Sequence, residues 1–270
     1  MKIRTTYLSL IFLSALLFAG LTGNAQAPTE VWNKTYEWNT DRYYRGTAYN
    51  PLNNHLYIAG TEGNYEGNPA GTTKEDNKIH VLNATTGDSI TTLSPASVLD
   101  NAWGYGIRDV EVDMAGGIFA MIGTNNHFNP LQLYYWENES ADPIMLWKDA
   151  SGTDNDFGGG FSVYGDFNGD ALIIIPFVDI AKAYYFEVVN GVMGSVQTLD
   201  LTGLTTIRTP NIQALGTSIS DGFWYNNVDL AGPVKFDGSG NIVATVPSAA
   251  LTNGGTTGDV KQFTAGSSDY

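Results

Sequence analysis

The sequence predicts an all-β protein built from a repeated four-stranded sheet. Short segments rich in β-branched and aromatic residues alternate with turns of Asn, Asp, Gly and Pro, and no useful helical periodicity follows the leading apolar segment. A similar order of strands begins at residues 45, 108, 161, 212 and 260, so that the spacing falls from 63 to 48 residues. A period of about 40–50 residues made of four short strands is typical of β-propeller blades, whereas a sandwich would not repeat as a module.

Each of the first four units contains four predicted strands joined by tight turns. The strands are predicted at 43–49, 55–60, 78–82 and 89–93, then at 107–112, 118–122, 131–136 and 144–147, then at 161–164, 171–177, 183–189 and 195–199, and finally at 212–215, 223–228, 233–236 and 242–246. Asn-Gly and Asp-Gly pairs occur in the turns around Asn168 and Asp237. Gly and Asn accept the positive φ that hairpins require, so these pairs favour antiparallel pairing within each unit.

The repeat divides the chain into three predicted regions: a signal peptide at 1–27, an N-terminal segment at 28–42 and a β-propeller at 43–270. The blades are expected at about 43–94, 107–148, 161–201 and 212–247, with the start of a fifth blade at 259–270. A propeller must close, because an open end leaves an unpaired edge. The unfinished fifth unit therefore indicates a truncated piece of a longer protein. The alternative is that Val31–Trp38 completes the last blade.

The first residues have the three zones of a bacterial signal peptide. Lys2 and Arg4 provide positive charge, an apolar stretch follows, and Ala25 and Ala27 form a small-residue cleavage site. We therefore expect an exported protein, located outside the cell, at the cell surface or in the periplasm. No comparable apolar stretch follows, so no membrane span is expected after cleavage. The apolar stretch is shorter than the about 20 residues that a membrane span needs. The alternative is that the stretch stays uncleaved and anchors the protein.

Composition excludes several classes of function. The chain has no cysteine, which removes disulfides, thiol catalysis, thiolate metal sites and a lipidated cysteine. Its formal net charge is −15, so it offers no basic patch for nucleic acid or anionic lipid. Charged residues make up only 15% of the sequence, so this is not a disordered acidic tail. A soluble, acidic, exported β protein fits these values.

Two units carry a resemblance to known propellers. The stretch from Asn50 to Gly60, followed by Ile79 to Asp88, resembles blades of quinoprotein-like and surface-layer-like propellers, with Asn83 in the place of an acidic residue. The stretch from Phe161 to Ala171 is similar to blades of uncharacterised exported proteins of gut and marine Gram-negative bacteria. The resemblance covers most of residues 40–247 and implies a fold. It provides no catalytic residues, and it implies that a sorting or anchoring module often follows the propeller.

A candidate calcium loop lies in the third unit. Asp166, Asn168 and Asp170 place oxygen atoms at the first, third and fifth positions, which is how calcium loops begin. Position nine would need another acid, and Ile174 stands there. The alternative is that Asn168 and Gly169 form only a hairpin turn. Calcium is therefore the one candidate cofactor.

The predicted ligand site lies at the face that carries the long connections. If the first strand of each unit is innermost, the connections between second and third strands share a face with the links between blades, and binding residues concentrate on such loops. Aromatic rings beside carboxylates and amides suit sugar recognition. The candidates are Arg45, Tyr65, Asn101, Trp103, Tyr105, Arg108, Asp154, Asp156 and Arg208. In the alternative interpretation the aromatic residues pack between blades and the arginines pair with surplus acids.

Established catalytic motifs are missing from the sequence. The three histidines stand apart without metal-ligand spacing, and no nucleophile elbow, zinc-protease motif or phosphate loop occurs. Catalytic residues are therefore left unassigned. We expect a binding or scaffold module that recognises polysaccharide or extracellular protein. The alternative is a propeller enzyme, a glycoside hydrolase or polysaccharide lyase, that uses loop carboxylates such as Asp154 and Asp156. Ligand identity and oligomeric state stay open.

Overall fold

The computed structural model describes residues 31–36, 42–62, 77–94, 106–122, 131–149, 160–205, 207, 210–247, 264–265 and 268–269. The chain divides into two compact units, Met1–Asn33 and Lys34–Tyr270, and all the strands below belong to the second. Side chains of the first strand are described from Gly46 onward. Within the described ranges, no helix has the length and apolar character needed to cross a membrane.

Four antiparallel sheets follow one another along the chain, each with its strands in sequence order. Blade 1 contains β1 (Arg42–Asn50), β2 (His55–Glu62), β3 (Asn77–Asn83) and β4 (Ser89–Thr92); blade 2 contains β5 (Ile107–Val112), β6 (Ile118–Ile122), β7 (Gln132–Trp136) and β8 (Ile144–Lys148); blade 3 contains β9 (Ser162–Gly165), β10 (Ala171–Pro176), β11 (Lys182–Val189), β12 (Val192–Met193) and β13 (Gln197–Asp200); blade 4 contains β14 (Asn211–Ala214), β15 (Phe223–Asn226), β16 (Val234–Phe236) and β17 (Ile242–Thr245). A small hairpin follows, formed by β18 (Thr264–Ala265) and β19 (Ser268–Asp269). The predicted all-β propeller with four blades and a partial fifth is confirmed.

The first strand of each blade lies innermost. Successive first strands β1, β5, β9 and β14 contact one another between blades. Exposure changes across each sheet: every residue of β6 and β10 is buried, whereas every residue of β4 and β17 is exposed. The strand order therefore runs from the propeller axis to the outer edge.

Three apolar cores hold the four blades together. Tyr57 of blade 1 and Trp136 of blade 2 belong to the first core, Phe119 of blade 2 and Phe186 of blade 3 to the second, and Phe223 of blade 4 to the third, where it packs with residues of blade 3. All are at most 1% exposed. Burying one large apolar side chain stabilises the fold by about 1.5–3 kcal/mol, so each pair of neighbouring blades is joined mainly by the hydrophobic effect.

The outer edge of every blade is irregular. A β-bulge interrupts the pairing of β4, β8 and β17 with the third strand of its blade, and the extra residues are Ile90, Leu146 and Val243. In blade 3 the outer partner of β11 is divided between β12 and β13. The predicted fourth strand at 195–199 therefore covers only the second part, and β12 lies where a turn was predicted. Such irregularity blunts a sheet edge against pairing with another chain.

The N-terminal segment contacts the first blade. The Lys34 ammonium pairs with the Asp88 carboxylate, and the Tyr36 hydroxyl donates to the Gly87 carbonyl in the β3–β4 turn. Residues 31–36 contain no strand. The end of Val31–Trp38 lies outside the described residues, and completion of the last blade by this segment stays a prediction.

Candidate functional site

Two arginines occupy matching irregularities on the inner strands of blades 1 and 2. In β1, Tyr44 pairs with Gly60 and Gly46 with Ala59, so that Arg45 is the extra residue of a bulge. In β5, Ile107 pairs with Ile122 and Asp109 with Met121, so that Arg108 is the extra residue. Bulges change the direction of a side chain and are over-represented beside active sites.

These two bulges lie side by side. A side-chain Cβ at position 46 would lie 2.3 Å from Oδ1 of Asp109 and 2.5 Å from its Cα, so the backbones of Gly46 and Asp109 touch. Arg45 and Arg108 immediately precede these two residues in the sequence, so the two bulges adjoin at the level of the backbone. This close approach is possible because residue 46 has no side chain.

Asp109 continues the contact into blades 3 and 4. Its Oδ2 accepts a hydrogen bond from the backbone N–H of Phe161 at 3.0 Å. A Cβ at Gly160 would lie 2.9 Å from the same oxygen and 2.5 Å from Oδ1 of Asn211. We call the set Arg45, Arg108, Asp109, Gly160 and Asn211 the inner arc. It joins the first strands of blades 1, 2 and 4 with Gly160, which lies two residues before the first strand of blade 3.

Charge is concentrated along β5 and the turn that follows it. Arg108 is 5% exposed, and Glu111 and Asp113 are also buried. A buried guanidinium stays protonated and therefore requires polar surroundings. Burial is the main influence on the Asp113 carboxyl and raises its pKa above the ordinary value. Hydrogen bonds from backbone N–H groups, first that of Phe167, oppose this increase only in part. The innermost part of blade 2 thus combines one buried cation with several acids.

Both arginines lie in the half of their strand that is nearer the long connections. The chain enters β5 from the segment that follows Ser94 and leaves it through the short turn after Val112, and β1 likewise ends in a short turn after Asn50. The remaining predicted ligand residues lie outside the described residues: Tyr65, Asn101, Trp103, Tyr105, Asp154, Asp156 and Arg208. The structure therefore places Arg45 and Arg108 together and leaves the other positions as predictions.

The candidate calcium segment forms the turn between β9 and β10. Oδ1 of Asp166 accepts the backbone N–H of Asn168 at 2.8 Å, and the Asp166 carbonyl accepts the N–H of Gly169 at 2.9 Å. Oδ1 of Asp170 accepts the N–H of Asn190 from the next hairpin at 2.9 Å. These hydrogen bonds shape the β9–β10 turn and connect it to the next hairpin. Across the described residues, no group of three or more His, Asp or Glu side chains is arranged to hold a metal ion, and calcium at Asp166, Asn168 and Asp170 stays a prediction.

The sequence did not predict a polar cluster between blades 1 and 2. Glu139, in the β7–β8 turn, accepts a hydrogen bond from the Tyr57 hydroxyl at 2.6 Å and from the Asn53 amide at 3.0 Å, and the same oxygen lies 2.6 Å from Nδ1 of His55. Burial raises the pKa of the Tyr57 hydroxyl to about 12. More than 80 residues separate Glu139 from its partners, so no local signal in the sequence joins them.

Comparison with known proteins supports the fold. No protein-family model matches the sequence, and no curated protein matches it. A solved structure of a DUF4623 family protein from Bacteroides eggerthii is similar with a TM-score of 0.54 and 14% identity, over 75% of this chain and 44% of that one. The chain therefore spans less than half of that protein.

Two other similar structures have lower scores. A gluconolactonase from Xanthomonas campestris has a TM-score of 0.46 and 10% identity over 82% of this chain and 80% of that one. The β-propeller domain of Cps50 (Swd1) from Myceliophteria thermophila has a TM-score of 0.42 and 10% identity over 75% of this chain and 56% of that one. Among these three structures, only the DUF4623 family protein has a TM-score above 0.5, and at 14% identity its similarity concerns the fold alone.

Proposed function

We propose that this protein is an exported β-propeller that serves as a binding or scaffold module, recognising polysaccharide or protein outside the cell through the face of the long connections. One observation carries the proposal. The inner strands of two neighbouring blades have arginines at adjacent bulges, in the half of each strand that is nearer those connections. Irregular inner strands with polar side chains are a feature of ligand sites.

The opposite face is less suited to a ligand. Its hairpin turns are short, and their polar groups are used within the turns or between blades. Asp113 accepts backbone N–H groups of Ala115, Gly117 and Phe167, and Asp237 accepts those of Ser239 and Asn241. Long connections on a rigid scaffold are the usual place for binding residues, which favours the other face.

Export is the second part of the proposal. It is supported by the charged start, the apolar stretch and the Ala25–Ala27 cleavage site in the sequence. The resemblance of two units to quinoprotein-like and surface-layer-like propellers of exported bacterial proteins agrees with it. A net charge of −15 keeps such a protein soluble and away from nucleic acid.

A glycan array tests the binding role directly. The purified chain beginning at Pro28 is applied to neutral and acidic polysaccharides, and the same array is repeated with Trp103→Ala. The matched control is Tyr49→Ala, because Tyr49 is a half-exposed aromatic residue next to the turn at the opposite face.

We expect Trp103→Ala to reduce binding at least about tenfold, as the loss of one stacked aromatic ring does, and Tyr49→Ala to leave it unchanged. Binding that depends on Tyr49 and not on Trp103 would overturn the choice of face, and absence of binding to every glycan and extracellular protein offered would overturn the proposal. Cleavage of the bound polysaccharide would show that the protein is a propeller enzyme and not only a binding module.

A further inference from the structure

We propose that the protein has a second binding surface, the turn face, and that its partner is a cationic protein segment with an apolar side chain. The turn face is the side opposite the long connections, where hairpin turns join first to second strands and third to fourth strands. The inference goes beyond the proposed function, because it assigns a separate partner to a separate face. A protein segment can lie across short turns, whereas a small ligand needs a concave pocket.

The first step is an apolar patch on the inner turns of blades 1 and 2. Leu52, between β1 and β2, is 67% exposed, and Met114, between β5 and β6, is 61% exposed. Their neighbours Pro51 and Ala115 are exposed as well. A Cβ at Gly116 would lie 3.4 Å from Cδ1 of Leu52, so the two turns touch. We call the four exposed residues Pro51, Leu52, Met114 and Ala115 the turn-face patch.

The second step is that blades 3 and 4 bury an apolar residue of the inner turn. Phe167 follows the first acid of its turn, as Met114 does, but the centroid of its ring lies 4.7 Å from that of Tyr135 in blade 2. In blade 4, Ile219 packs against the third apolar core. Leu52 and Met114 belong to none of the three described cores. The fold can therefore bury such a residue, and exposure in two adjacent turns is typical of an interaction surface.

The third step is the charge around the turn-face patch. The connections of this face span 51–54, 84–88, 113–117, 137–143, 166–170, 190–196, 215–222 and 237–241, and they contain no lysine or arginine. On the side of blade 1, the Asn53 amide donates to the Glu139 carboxylate at 3.0 Å. On the side of blade 3, the backbone N–H of Met114 donates at 2.7 Å to the carbonyl of Gly165, which directly precedes Asp166. The patch therefore lies between acids.

Charge complementarity selects the partner. An acidic segment, or the same face of a second copy of this chain, would bring like charges together, whereas lysine and arginine side chains would compensate the acids. The structure already contains one contact of this kind. In the N-terminal segment, the Lys34 ammonium pairs with Asp88 of an outer turn, and the Tyr36 hydroxyl donates to the carbonyl of Gly87 in the same turn. A cationic segment of a partner protein would bind the inner turns in the same way.

The experiment uses three fluorescent synthetic peptides of equal length: alternating Lys and Leu, alternating Lys and Ser, and alternating Glu and Leu. Fluorescence anisotropy at physiological salt gives the Kd of each peptide for the chain beginning at Pro28. The apolar variants are Leu52→Ser, Met114→Ser and both together. Their matched control is Val243→Ser, because Val243 is an apolar residue of the outer strand β17 that is 56% exposed.

A second pair of variants tests the charge. Asp166→Asn removes an acid beside the patch and keeps the side-chain oxygen that accepts the Asn168 N–H. Its matched control is Asp179→Asn, because Asp179 is an exposed acid in the connection between β10 and β11, on the opposite face. Thermal melts of every variant check that the fold is retained, and we expect unchanged midpoints because all these positions are at the surface.

We expect the unaltered chain to bind the Lys/Leu peptide, to bind the Lys/Ser peptide at least about tenfold more weakly and to leave the Glu/Leu peptide unbound. The double variant Leu52→Ser with Met114→Ser should weaken binding of the Lys/Leu peptide about tenfold, since one buried leucine contributes at least that factor. Asp166→Asn should weaken it about twofold to fivefold. Val243→Ser and Asp179→Asn should have no effect.

Three outcomes overturn the inference. The first is absence of binding of the Lys/Leu peptide, and the second is binding that is equally strong in the double variant and in the unaltered chain. The third is self-association of the unaltered chain, measured by sedimentation, that the double variant loses, because it would assign the patch to a second copy. The glycan array tests the other face, so each of these outcomes leaves the proposed function standing.

Discussion

The Asp113 carboxylate of blade 2 accepts a hydrogen bond from the backbone N–H of Phe167 in blade 3, with 3.0 Å between Oδ2 and N. Its other oxygen, Oδ1, accepts the N–H groups of Ala115 and Gly117 in its own turn, at 3.0 and 2.7 Å. One buried carboxylate thus shapes a hairpin and joins two blades. Removing Oδ1 leaves the buried N–H group of Gly117 without its partner, and removing Oδ2 does the same to the partly buried N–H group of Phe167.

Asp113→Asn should therefore lower the free energy of unfolding by about 1–3 kcal/mol, because the new amide group offers a donor where an acceptor is required. Urea unfolding of the chain measures this change. Asp237→Asn is the control, since Asp237 holds a comparable turn through Ser239 and Asn241 within a single blade and at a more exposed position. Equal losses in the two variants would show that the bridge between blades adds nothing.

The raised pKa of Asp113 predicts a pH dependence with a definite sign. Burial is the main cause, and the folded-state pKa lies above the ordinary value of 3.8. Between these two values the folded state holds more protons than the unfolded state, so the contribution of this group to stability falls as the pH rises through the window and is level above it. The stability of the unaltered chain minus that of Asp113→Asn should decrease from about pH 4 upward until Asp113 is ionised. A difference that grows over the same range would contradict the assignment.

The Glu139 cluster predicts coupling between two blades. Glu139→Ala removes the acceptor of the Tyr57 hydroxyl, and the Tyr57 side chain is fully buried. The substitution should therefore lower the free energy of unfolding by about 1–3 kcal/mol. Tyr57→Phe should then lower the free energy of unfolding much less in the Glu139→Ala variant than in the unaltered chain. A double-mutant cycle measured by urea unfolding should give a coupling of about 0.5–3 kcal/mol. Additive effects would mean that the hydrogen bond contributes no net stability.

The contact of Gly46 with Asp109 predicts strong sensitivity to one methyl group. Gly46→Ala places a Cβ against backbone atoms of β5, and overpacking of this kind costs about 1–3 kcal/mol or more. Gly169→Ala is a suitable control, because its Cβ would lie 3.6 Å or more from its neighbours. The thermal midpoint should fall clearly in the first variant and stay nearly constant in the second. An unchanged thermal midpoint in Gly46→Ala would contradict the close contact between β1 and β5 and the adjacency of Arg45 and Arg108.

The calcium prediction is tested by a thermal melt with and without a chelator. If Asp166, Asn168 and Asp170 bind the ion, calcium at about 100 times its Kd stabilises the chain by about 2.7 kcal/mol and raises the midpoint. Asp166→Asn should abolish this increase, whereas Asp237→Asn should preserve it. Identical midpoints with calcium and chelator would leave the segment as a hairpin turn alone.

The strands were predictable because their signals are local. Alternating apolar residues and Asn-Gly or Asp-Gly turns specify pairing over a few residues, and the observed strands overlap the predicted ones in all four blades. The short strand Val192–Met193 was missed, because the glycines on either side of it favour a turn and its pairing with Val188 and Val189 is decided by the sheet. Register shifts such as those at Arg45 and Arg108 leave no sequence pattern.

The candidate site was only partly predictable. Arg45 and Arg108 begin two repeats, and the repeat predicts equivalent places for them in adjacent blades. Their adjacency depends on the contact between Gly46 and Asp109, which joins residues 63 apart and follows from how blades pack. The cluster around Glu139 was unpredictable for the same reason, since its members meet only after the blades assemble.

Three carboxylates near hairpin turns bind the backbone or side chains of a neighbouring blade: Asp113 with Phe167, Glu139 with Tyr57, and Glu187 with Ser218 and Ile219. These three contacts help to fix the registry of the blades on the side away from the long connections, and the bond of Asp109 to the Phe161 N–H adds one on the other side. Substitutions and insertions in those connections can accumulate without disturbing how the blades stack. Homologous chains are therefore expected to vary in those connections while retaining these three acids.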